Sequence, residues 1–407
     1  MRIWIINPYA LPPSEPGGTR HYSLARELRG RGHEVLIIAS NFNYNTRREI
    51  NPGLAENTTV EIDSVPFTWV PVPGYHGNTR ARVWNMLAFA RKVLALKSLE
   101  AANRPDVIIA SSPHLFGAWA AERLAHFYRV PFILEVRDLW PQTFVELGGF
   151  SPRHPFILVM SWIEGYLYRR ADRIITLLPK AGDYISGFGI PRERVVWVPN
   201  GIDLALGPEP APPVPGEKLR LIYTGAHGLA NSLDTIIEAA RILESENWSD
   251  RISFRFVGDG PEKPRLRKIV EKLGLSSVEF EDPVSKERVP GVLQEADACV
   301  AVLKKSSLYR WGMSLNKLFD YLAAGRPVIL GTGAVNDPVR ESGGGISVPA
   351  EDPGALARAI KEVAGMTAEE RWEMGMRGRR YVEGNYSFKH LADKLEEVLC
   401  ESIDKKH

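Results

Sequence analysis

Short runs of Val, Ile and Leu alternate with amphipathic segments along almost the whole chain. RIWIINP, GTRHYSLARELRGRG and HEVLIIAS have the lengths and periodicities of a strand, a helix and a second strand. Similar strand-like runs follow: DVIIAS, PFILEV, RIITLLP and VVWVPN, and then LRLIYTG, ISFRFVGDG, VEFEDPV, ACVAVL and RPVILG. These runs lack an apolar–polar alternation, as is typical of parallel strands buried on both faces. The pattern predicts an α/β protein with doubly wound parallel sheets.

The two sets of strands are separated by a proline-rich stretch, GPEPAPPVPGEK at residues 207–218. So many prolines and glycines cannot continue a helix or a central strand, and we interpret the stretch as a linker. We predict a first Rossmann-like domain over residues 1–206, completed by a C-terminal helix over 386–407. A second Rossmann-like domain is predicted over 219–385, facing the first across a cleft.

Composition and charge describe an ordinary globular protein. The chain has 407 residues, of which 44% are hydrophobic and 25% charged, and its formal net charge of +2 does not indicate a nucleic-acid partner. Cys299 and Cys400 lie far apart and form no disulfide or C-x-x-C framework. No apolar run reaches the length of a membrane span, which needs about 20 residues. We expect a cytoplasmic chain.

One predicted helix begins with polar residues although it leads into a buried strand. In SLNKLFDYLAAGRPVIL, Ser314 is a suitable N-cap, and Asn316, Lys317 and Asp320 share one helical face. Backbone N–H groups at the helix start and the Lys317 ammonium suit a pyrophosphate, and the Asp320 carboxylate suits ribose hydroxyls. The alternative is a solvated helix start with a weak surface pair between Lys317 and Asp320.

A second candidate site is the pair Gly17–Gly18, which follows the first strand and precedes a helix. Glycines let the backbone approach a ligand closely, and the N–H groups that follow face the carboxyl edge of the sheet. The alternative is a flexible turn. The position of Gly17–Gly18 at the end of the first parallel strand favours a binding loop over a flexible turn.

These segments also carry a family resemblance. Asp320-Tyr-Leu-Ala-Ala-Gly-Arg-Pro-Val resembles the E-A-M-A-x-G-x-P-V segment of the GT4 family of retaining glycosyltransferases, which have the two-domain GT-B fold. Other elements resemble the family in the expected order: Gly17-Gly18 with LARELRGRGHEVLIIAS, EVRDLWP at 135–141, VPNGID at 198–203 and FVGDGPEKPRL at 256–266. EVRDLWP resembles a subgroup that includes fucosamine and N-acetylglucosamine transferases of surface-polysaccharide assembly.

The resemblance implies a function. Such an enzyme moves a sugar, here expected from a UDP-hexosamine, to a lipid-linked or saccharide acceptor, with the nucleotide on the second domain and the acceptor on the first. The nucleotide-sugar-binding residues would be Gly17, Gly18, Gly225, Lys263, Ser314, Asn316, Lys317 and Asp320. The catalytic residues would be Asp138, His114 and Lys317. The nucleotide-sugar is then a substrate, and no cofactor is expected.

Asp138 and His114 follow the strand-like runs PFILEV and DVIIAS. A carboxylate or an imidazole there can orient an acceptor hydroxyl or accept its proton. The alternatives are that Glu135 and Arg137 pair with Asp138 structurally, and that His114 is a satisfied loop residue.

The chain departs from the family pattern at two points. Gly312 replaces the first Glu of the family's E-x7-E pair, so the donor sugar must find other contacts, for which backbone N–H groups of residues 311–314 are candidates. The loop that begins at Gly225 lacks the Arg and Lys that the family often places there. Lys317, with help from Lys263 or Arg265, would have to supply the positive charge.

The segment RARVWNMLAFARKVLALK combines basic residues with Trp84 and other apolar residues. It fits a helix on an anionic membrane surface and equally a core-facing helix with a solvated basic side. The apolar segment SPRHPFILVMSWIEGYLYRR favours peripheral contact with the inner face of the cytoplasmic membrane, as does a lipid-linked acceptor.

Other functions remain open alternatives. The chain has no D-x-D, G-x-x-x-x-G-K-[ST] or H-E-x-x-H motif, and its histidines show no metal-ligand spacing, so we expect a metal-independent reaction. A nucleotide-sugar epimerase has the same architecture, and a non-catalytic nucleotide-binding protein fits the glycine at position 312. An NAD-dependent oxidoreductase requires a G-x-G-x-x-G loop, whose spacing Gly17–Gly18 does not match.

Overall fold

Two compact units make up the protein. The computed structural model describes residues 1–75, 77, 80–98, 104–112, 114–213, 216 and 218–405. Unit 1 consists of Met1–Pro199, Trp311–Ser314 and Phe388–His407, and unit 2 consists of Asn200–Arg310 and Leu315–Ser387. Within the described residues, no helix is both long and apolar enough to cross a membrane.

Each unit is built on one main sheet. The strands of unit 1 are β1 (Arg2–Ile6), β2 (Glu34–Ser40), β3 (Phe42–Asn43), β4 (Arg48–Glu49), β5 (Thr58–Ile62), β6 (Val65–Val70), β7 (Val107–Ser111), β8 (Phe132–Val136), β9 (Arg173–Thr176) and β10 (Val195–Trp197). The strands of unit 2 are β11 (Leu219–Thr224), β12 (Ile252–Val257), β13 (Val278–Glu281), β14 (Ala298–Val302), β15 (Val328–Thr332) and β16 (Gly345–Pro349).

Both sheets have the strand order of doubly wound folds. The first runs β10-β9-β8-β7-β1-β2-β6-β5, and the second runs β13-β12-β11-β14-β15-β16. The pairs are parallel except β5 with β6, and β3 and β4 form a separate antiparallel hairpin. The prediction of two parallel-sheet α/β domains is confirmed. The strands β3 to β6 and β16 were not predicted. β3 and β4 have two residues each, β5 and β16 are largely unburied, and Pro66 and Thr68 interrupt the apolar run of the buried β6.

Helices cover the sheets. They are α1 (Arg20–Gly30), α2 (Arg80–Leu94), α3 (Leu115–Tyr128), α4 (Gln142–Glu146), α5 (Pro155–Arg170), α6 (Ala181–Ser186), α7 (Leu233–Ser245), α8 (Lys263–Leu273), α9 (Val289–Gln294), α10 (Asn316–Ala323), α11 (Pro338–Ser342), α12 (Pro353–Gly365), α13 (Ala368–Tyr386) and α14 (Phe388–Asp404). In unit 1, α14 packs against α1 and contributes Leu391, Leu395 and Leu399 to the core. In unit 2, α7 and α12 pack against each other and contribute apolar side chains to the core beside the sheet.

The units differ from the predicted boundaries at four points. The C-terminal segment joins unit 1 at Phe388 rather than at residue 386, because α13 continues to Tyr386 before α14 begins. Unit 1 ends at Pro199 rather than at residue 206, because the next residues pair with unit 2: the Ile202 amide donates to the Tyr386 carbonyl over 2.9 Å. Trp311–Ser314 belong to unit 1, where the Lys180 amide donates to the Trp311 carbonyl over 3.0 Å.

The fourth difference concerns the predicted linker at 207–218, which belongs to unit 2. Arg326 donates to the Ala211 carbonyl over 2.8 Å, and the Ala211 amide donates to Gln294 over 3.1 Å, so this part of the stretch lies along unit 2. Residues 214, 215 and 217 of the linker, and 406 and 407 of the predicted C-terminal helix, lie outside the described residues.

Candidate functional site

The helix with the polar first turn is α10, and it begins one residue later than its sequence suggests. Leu315 occupies the N-cap position with an extended backbone and makes no side-chain cap, so the prediction of Ser314 as N-cap is wrong. Ser314 lies one residue too early for that role and belongs to unit 1. The Leu318 amide donates to the Leu315 carbonyl over 3.1 Å, so Asn316 and Lys317 carry the first N–H groups at the start of α10, and the Leu315 side chain does not cap them.

Lys317 lies in a cradle at the carboxyl end of β11. Its ammonium donates to the Tyr223 hydroxyl and, over 2.8 Å, to the Asn231 side-chain oxygen, and it lies 4.1 Å from the centre of the Tyr223 ring. Burial lowers the pKa of Lys317 from 10.5 to about 7. A hypothetical Cβ on Gly225 would lie 3.4 Å from the ammonium nitrogen. The structure therefore brings together Gly225 and Lys317, which the sequence assigned to one site.

The loops after β11 and β12 lie backbone against backbone beside this cradle. The His227 amide donates to the Asp259 carbonyl over 2.8 Å, and the Glu262 amide donates to the His227 carbonyl over 3.0 Å. A Cβ on Gly258, whose φ is +151°, would lie 2.0 Å from the Gly225 carbonyl oxygen. Only glycine permits this approach, so the two loops form one rigid surface at the edge of the sheet.

Lys263 and Arg265 have other partners in this structure. The buried Lys263 ammonium donates to the carbonyls of Gly258 and Glu281 over 2.8 and 2.7 Å and to Asp282 over 3.3 Å. Arg265 makes a two-bond contact with Asp234, each bond 2.7 Å long. Both cations hold loops and helices of unit 2 in place, and a contact with the nucleotide stays a prediction for each.

Asp320 is paired with a residue that the sequence did not single out. The Lys286 ammonium donates to both carboxylate oxygens of Asp320, each over 2.5 Å, and both side chains are largely buried. Among the described residues, Asp320 does not pair with Lys317, so the alternative of a surface pair between them is wrong. Lys286 and Asp320 are 34 residues apart, and no local pattern relates them.

In unit 1, the glycine loop is closely packed. Gly17 has a φ of +152°, and a Cβ there would lie 2.5 Å from the Leu11 side chain and 2.8 Å from the Asn45 side-chain nitrogen. Gly18 and Thr19 follow, and Thr19 occupies the N-cap of α1 without a side-chain cap. The loop is thus closely packed in this structure, and it leads into a helix start without a side-chain cap, whereas the alternative of a flexible turn stays untested.

A buried charged network underlies this loop. Arg20 donates to Glu135 over 2.8 Å and to the Val198 carbonyl over 2.9 Å, and His21 lies 2.7 Å from the second oxygen of Glu135. Burial alone would raise the pKa of Glu135, but the bond with His21 and the Arg20 guanidinium hold this pKa well below its usual range. The alternative that Glu135 pairs with Asp138 is therefore wrong. Sequence reasoning missed the network because Arg20 and Glu135 are 115 residues apart.

His114 and Asp138 follow β7 and β8, two adjacent parallel strands. His114 is the N-cap of α3, where its Nδ1 accepts a hydrogen bond from the Gly117 amide over 2.9 Å, and burial lowers its pKa to about 3. The ring is therefore neutral near pH 7 and has a structural role. Asp138 retains exposed surface, and burial raises the pKa of its carboxyl while the neighbouring Arg137 lowers it. The alternative that Arg137 pairs with Asp138 stays open. The catalytic assignments of His114 and Asp138 stay predictions.

Another residue that the sequence did not single out is His227, in the loop after β11. Its buried ring lies among Tyr223, Phe256 and Phe280, and burial lowers its pKa to about 4. Neither ring nitrogen has a hydrogen-bond partner within the described part of the chain. Nor do the described residues contain a group of three or more His, Cys, Asp or Glu side chains that could hold a metal ion.

Comparison with known families gives two matches that follow the two units. Residues 17–201 match the model described as a glycosyl transferase 4-like domain. Residues 218–365 match the model described as glycosyl transferases group 1. The two matches together span most of the chain.

The chain is also similar to curated proteins. One is the putative colanic acid biosynthesis glycosyl transferase WcaI of Escherichia coli (strain K12), which is 25% identical over 74% of this chain and 76% of the relative. Another is the 2-deoxystreptamine N-acetyl-D-glucosaminyltransferase of Streptomyces fradiae, which is 24% identical over 83% of this chain and 79% of the relative.

Solved structures share the fold. The sucrose-phosphate synthase from Thermosynechococcus elongatus matches with a TM-score of 0.79 at 18% identity, over 98% of both chains. Anabaena HepE, in complex with UDP and glucose, matches with a TM-score of 0.69 at 13% identity, over 98% of this chain and all of that chain. At these identities the structural matches establish the fold alone.

Proposed function

Because the chain belongs to the GT4-type glycosyltransferases with the GT-B fold, we propose that it transfers a sugar from a nucleotide-sugar to a saccharide or lipid-linked acceptor in glycan biosynthesis, with retention of configuration. The observation that carries this proposal is the cradle in unit 2. There Lys317, Gly225 and the uncapped start of α10 offer an ammonium, a close backbone approach and N–H donors to a diphosphate.

The donor in this proposal is a UDP-hexosamine. The similar Streptomyces fradiae protein is named an N-acetyl-D-glucosaminyltransferase, and the similar Anabaena protein is bound to UDP and glucose. The EVRDLWP segment adds its resemblance to hexosamine transferases of surface-polysaccharide assembly. The acceptor is an oligosaccharide of such a polymer, free or attached to a lipid.

In the proposed reaction the bond between the anomeric carbon and the diphosphate breaks while the acceptor oxygen bonds to that carbon on the same face. The acceptor's proton passes to a diphosphate oxygen of the leaving group, so the protein supplies no nucleophile. This fits Gly312, where the family usually has a carboxylate. Lys317 and the N–H groups of α10 stabilise the negative charge that develops on the diphosphate, without a metal ion. Asp138 orients the acceptor hydroxyl.

Peripheral membrane contact is part of the proposal. Trp84 on α2 and Trp162 on α5 are each 65% exposed, and α3 packs against both helices. The exposed basic residues on or beside these helices include Arg80, Arg91 and Arg169, and α2 contains no acidic residue. Exposed tryptophans beside basic side chains suit the interface of an anionic bilayer, where a lipid-linked acceptor would reside.

A thermal-shift screen against UDP, GDP, dTDP, CMP and NAD, without metal, tests the nucleotide specificity. A ligand that binds the folded state stabilises it by RT ln(1 + [L]/Kd), so we expect one nucleoside diphosphate to raise the melting temperature, and Lys317→Ala to abolish the shift. If NAD is the only ligand that stabilises the protein, the proposed transferase function is wrong. With the matching donor, sugar change without an acceptor indicates an epimerase, and nucleotide binding without any turnover indicates a non-catalytic protein.

A further inference from the structure

Lys286 reaches the one acidic side chain on the polar face of α10. It lies in the loop after β13, in a single helical turn over Lys286–Arg288, and contacts both oxygens of Asp320 over 2.5 Å. The side chains of Lys286 and Asp320 are 16% and 11% exposed. Two hydrogen bonds in a mostly buried setting fix the plane of the carboxylate more firmly than an exposed ion pair does.

The contact leaves the carboxylate able to accept further hydrogen bonds. An ionised carboxylate has about four lone-pair sites, of which Lys286 uses two. The vicinal hydroxyls of a ribose are two donors with a spacing that matches two carboxylate oxygens. A carboxylate whose orientation is already fixed loses less conformational freedom when such a ligand binds.

We propose that Lys286 is a positioning residue that holds Asp320 in the orientation that accepts both ribose hydroxyls, so that the site selects ribonucleotides over 2′-deoxyribonucleotides. This inference rests on the proposed function, which places the ribose at Asp320. Lys317 and Lys263 cannot take the same role here, because their ammonium groups donate to other partners.

The test measures the affinities of UDP, GDP, their 2′-deoxy counterparts and inorganic pyrophosphate by calorimetry. The variants are Lys286→Met, Lys286→Arg, Asp320→Asn and the double variant Lys286→Met/Asp320→Asn. Lys272→Met, at an exposed position near the end of α8, is the matched control for loss of a lysine.

We expect Lys286→Met to weaken the preferred ribonucleotide about tenfold, the effect of one charge-assisted hydrogen bond, and to spare pyrophosphate. The preference for the ribonucleotide over its 2′-deoxy counterpart should fall toward unity. Lys286→Arg should retain the preference, the double variant should be no weaker than Asp320→Asn, and Lys272→Met should match the wild type.

Two outcomes would overturn this inference and leave the proposed function intact. One is an unchanged preference for the ribonucleotide in Lys286→Met. The other is an equal loss of ribonucleotide and pyrophosphate affinity, which indicates general damage to unit 2. If the wild-type protein binds no nucleoside diphosphate at all, the proposed function fails together with the inference.

Discussion

The charge state of Lys317 should make nucleotide binding depend on pH. Its pKa is about 7 because burial disfavours the ammonium, whereas a bound diphosphate favours it. Well below pH 7 the ammonium is already charged, so Lys317 itself adds no pH dependence there. Above pH 7 binding must take up a proton, so the Kd for a nucleoside diphosphate should rise by up to about tenfold per pH unit.

Calorimetry between pH 7.5 and 9 would measure this slope, because the terminal phosphate is already ionised there, with a pKa of about 6. Lys317→Arg is the control, since a guanidinium stays charged throughout this range and should remove the slope. A variant that keeps the wild-type slope would assign the titration to another group.

At the residue scale, the sequence anticipated one contact within the proposed nucleotide site. The polar face of α10 and the glycine at the end of β11 were predicted to act together, and the structure places Gly225 beside Lys317. The partners that set the properties of these residues were not predictable. Tyr223 is 94 residues from Lys317, and Lys286 is 34 residues from Asp320, so only the folded chain brings them into contact.

At the element scale, the contact between the loops after β11 and β12 should be essential for nucleotide binding. Gly258→Ala would place a Cβ 2.0 Å from the Gly225 carbonyl oxygen and would force the two loops apart. We expect a loss of about 1–3 kcal/mol in the free energy of unfolding and at least a tenfold loss of nucleotide affinity.

Gly274→Ala is the matched control for this substitution. Gly274 ends α8 with a φ of +65°, so alanine is strained there too, but its Cβ would meet no atom within 4 Å. Urea denaturation and nucleotide titration of both variants should show reduced stability in both and reduced affinity only in Gly258→Ala. If Gly258→Ala and Gly274→Ala bind the nucleotide with equal affinity, the contact between the two loops is not needed for nucleotide binding.

The elements were predictable in proportion to the strength of their local pattern. The continuous apolar runs of β1, β2, β7, β8 and β11 identified buried strands, and Gly225 marked the turn directly after β11. The N-terminus of α10 was placed one residue too early, because serine is a frequent N-cap and the sequence cannot show the extended backbone of Leu315.

At the scale of the whole molecule, the exposed tryptophans of unit 1 predict binding to anionic vesicles. The double variant Trp84→Ser/Trp162→Ser should sediment less with vesicles that contain phosphatidylglycerol than the wild type does, because tryptophan partitions into the bilayer interface. Salt should weaken the wild-type interaction, and purely zwitterionic vesicles should bind less protein.

The control for this prediction is Leu229→Ser, because Leu229 is 60% exposed and lies in unit 2. It should bind vesicles like the wild type. If the double tryptophan variant binds vesicles as well as the wild type does, α2 and α5 are not the surface that contacts the membrane.

The sequence by itself determined the fold class, the family and most of the parallel strands, because continuous apolar runs and glycines at strand ends are local signals. Only the tertiary structure decided which partner each buried charged side chain has. It paired Lys286 with Asp320, Arg20 and His21 with Glu135, and Lys263 with loop oxygens. Buried charges require partners, and the partners come from distant parts of the chain, so the chemistry of each site residue is fixed only when the sheets assemble.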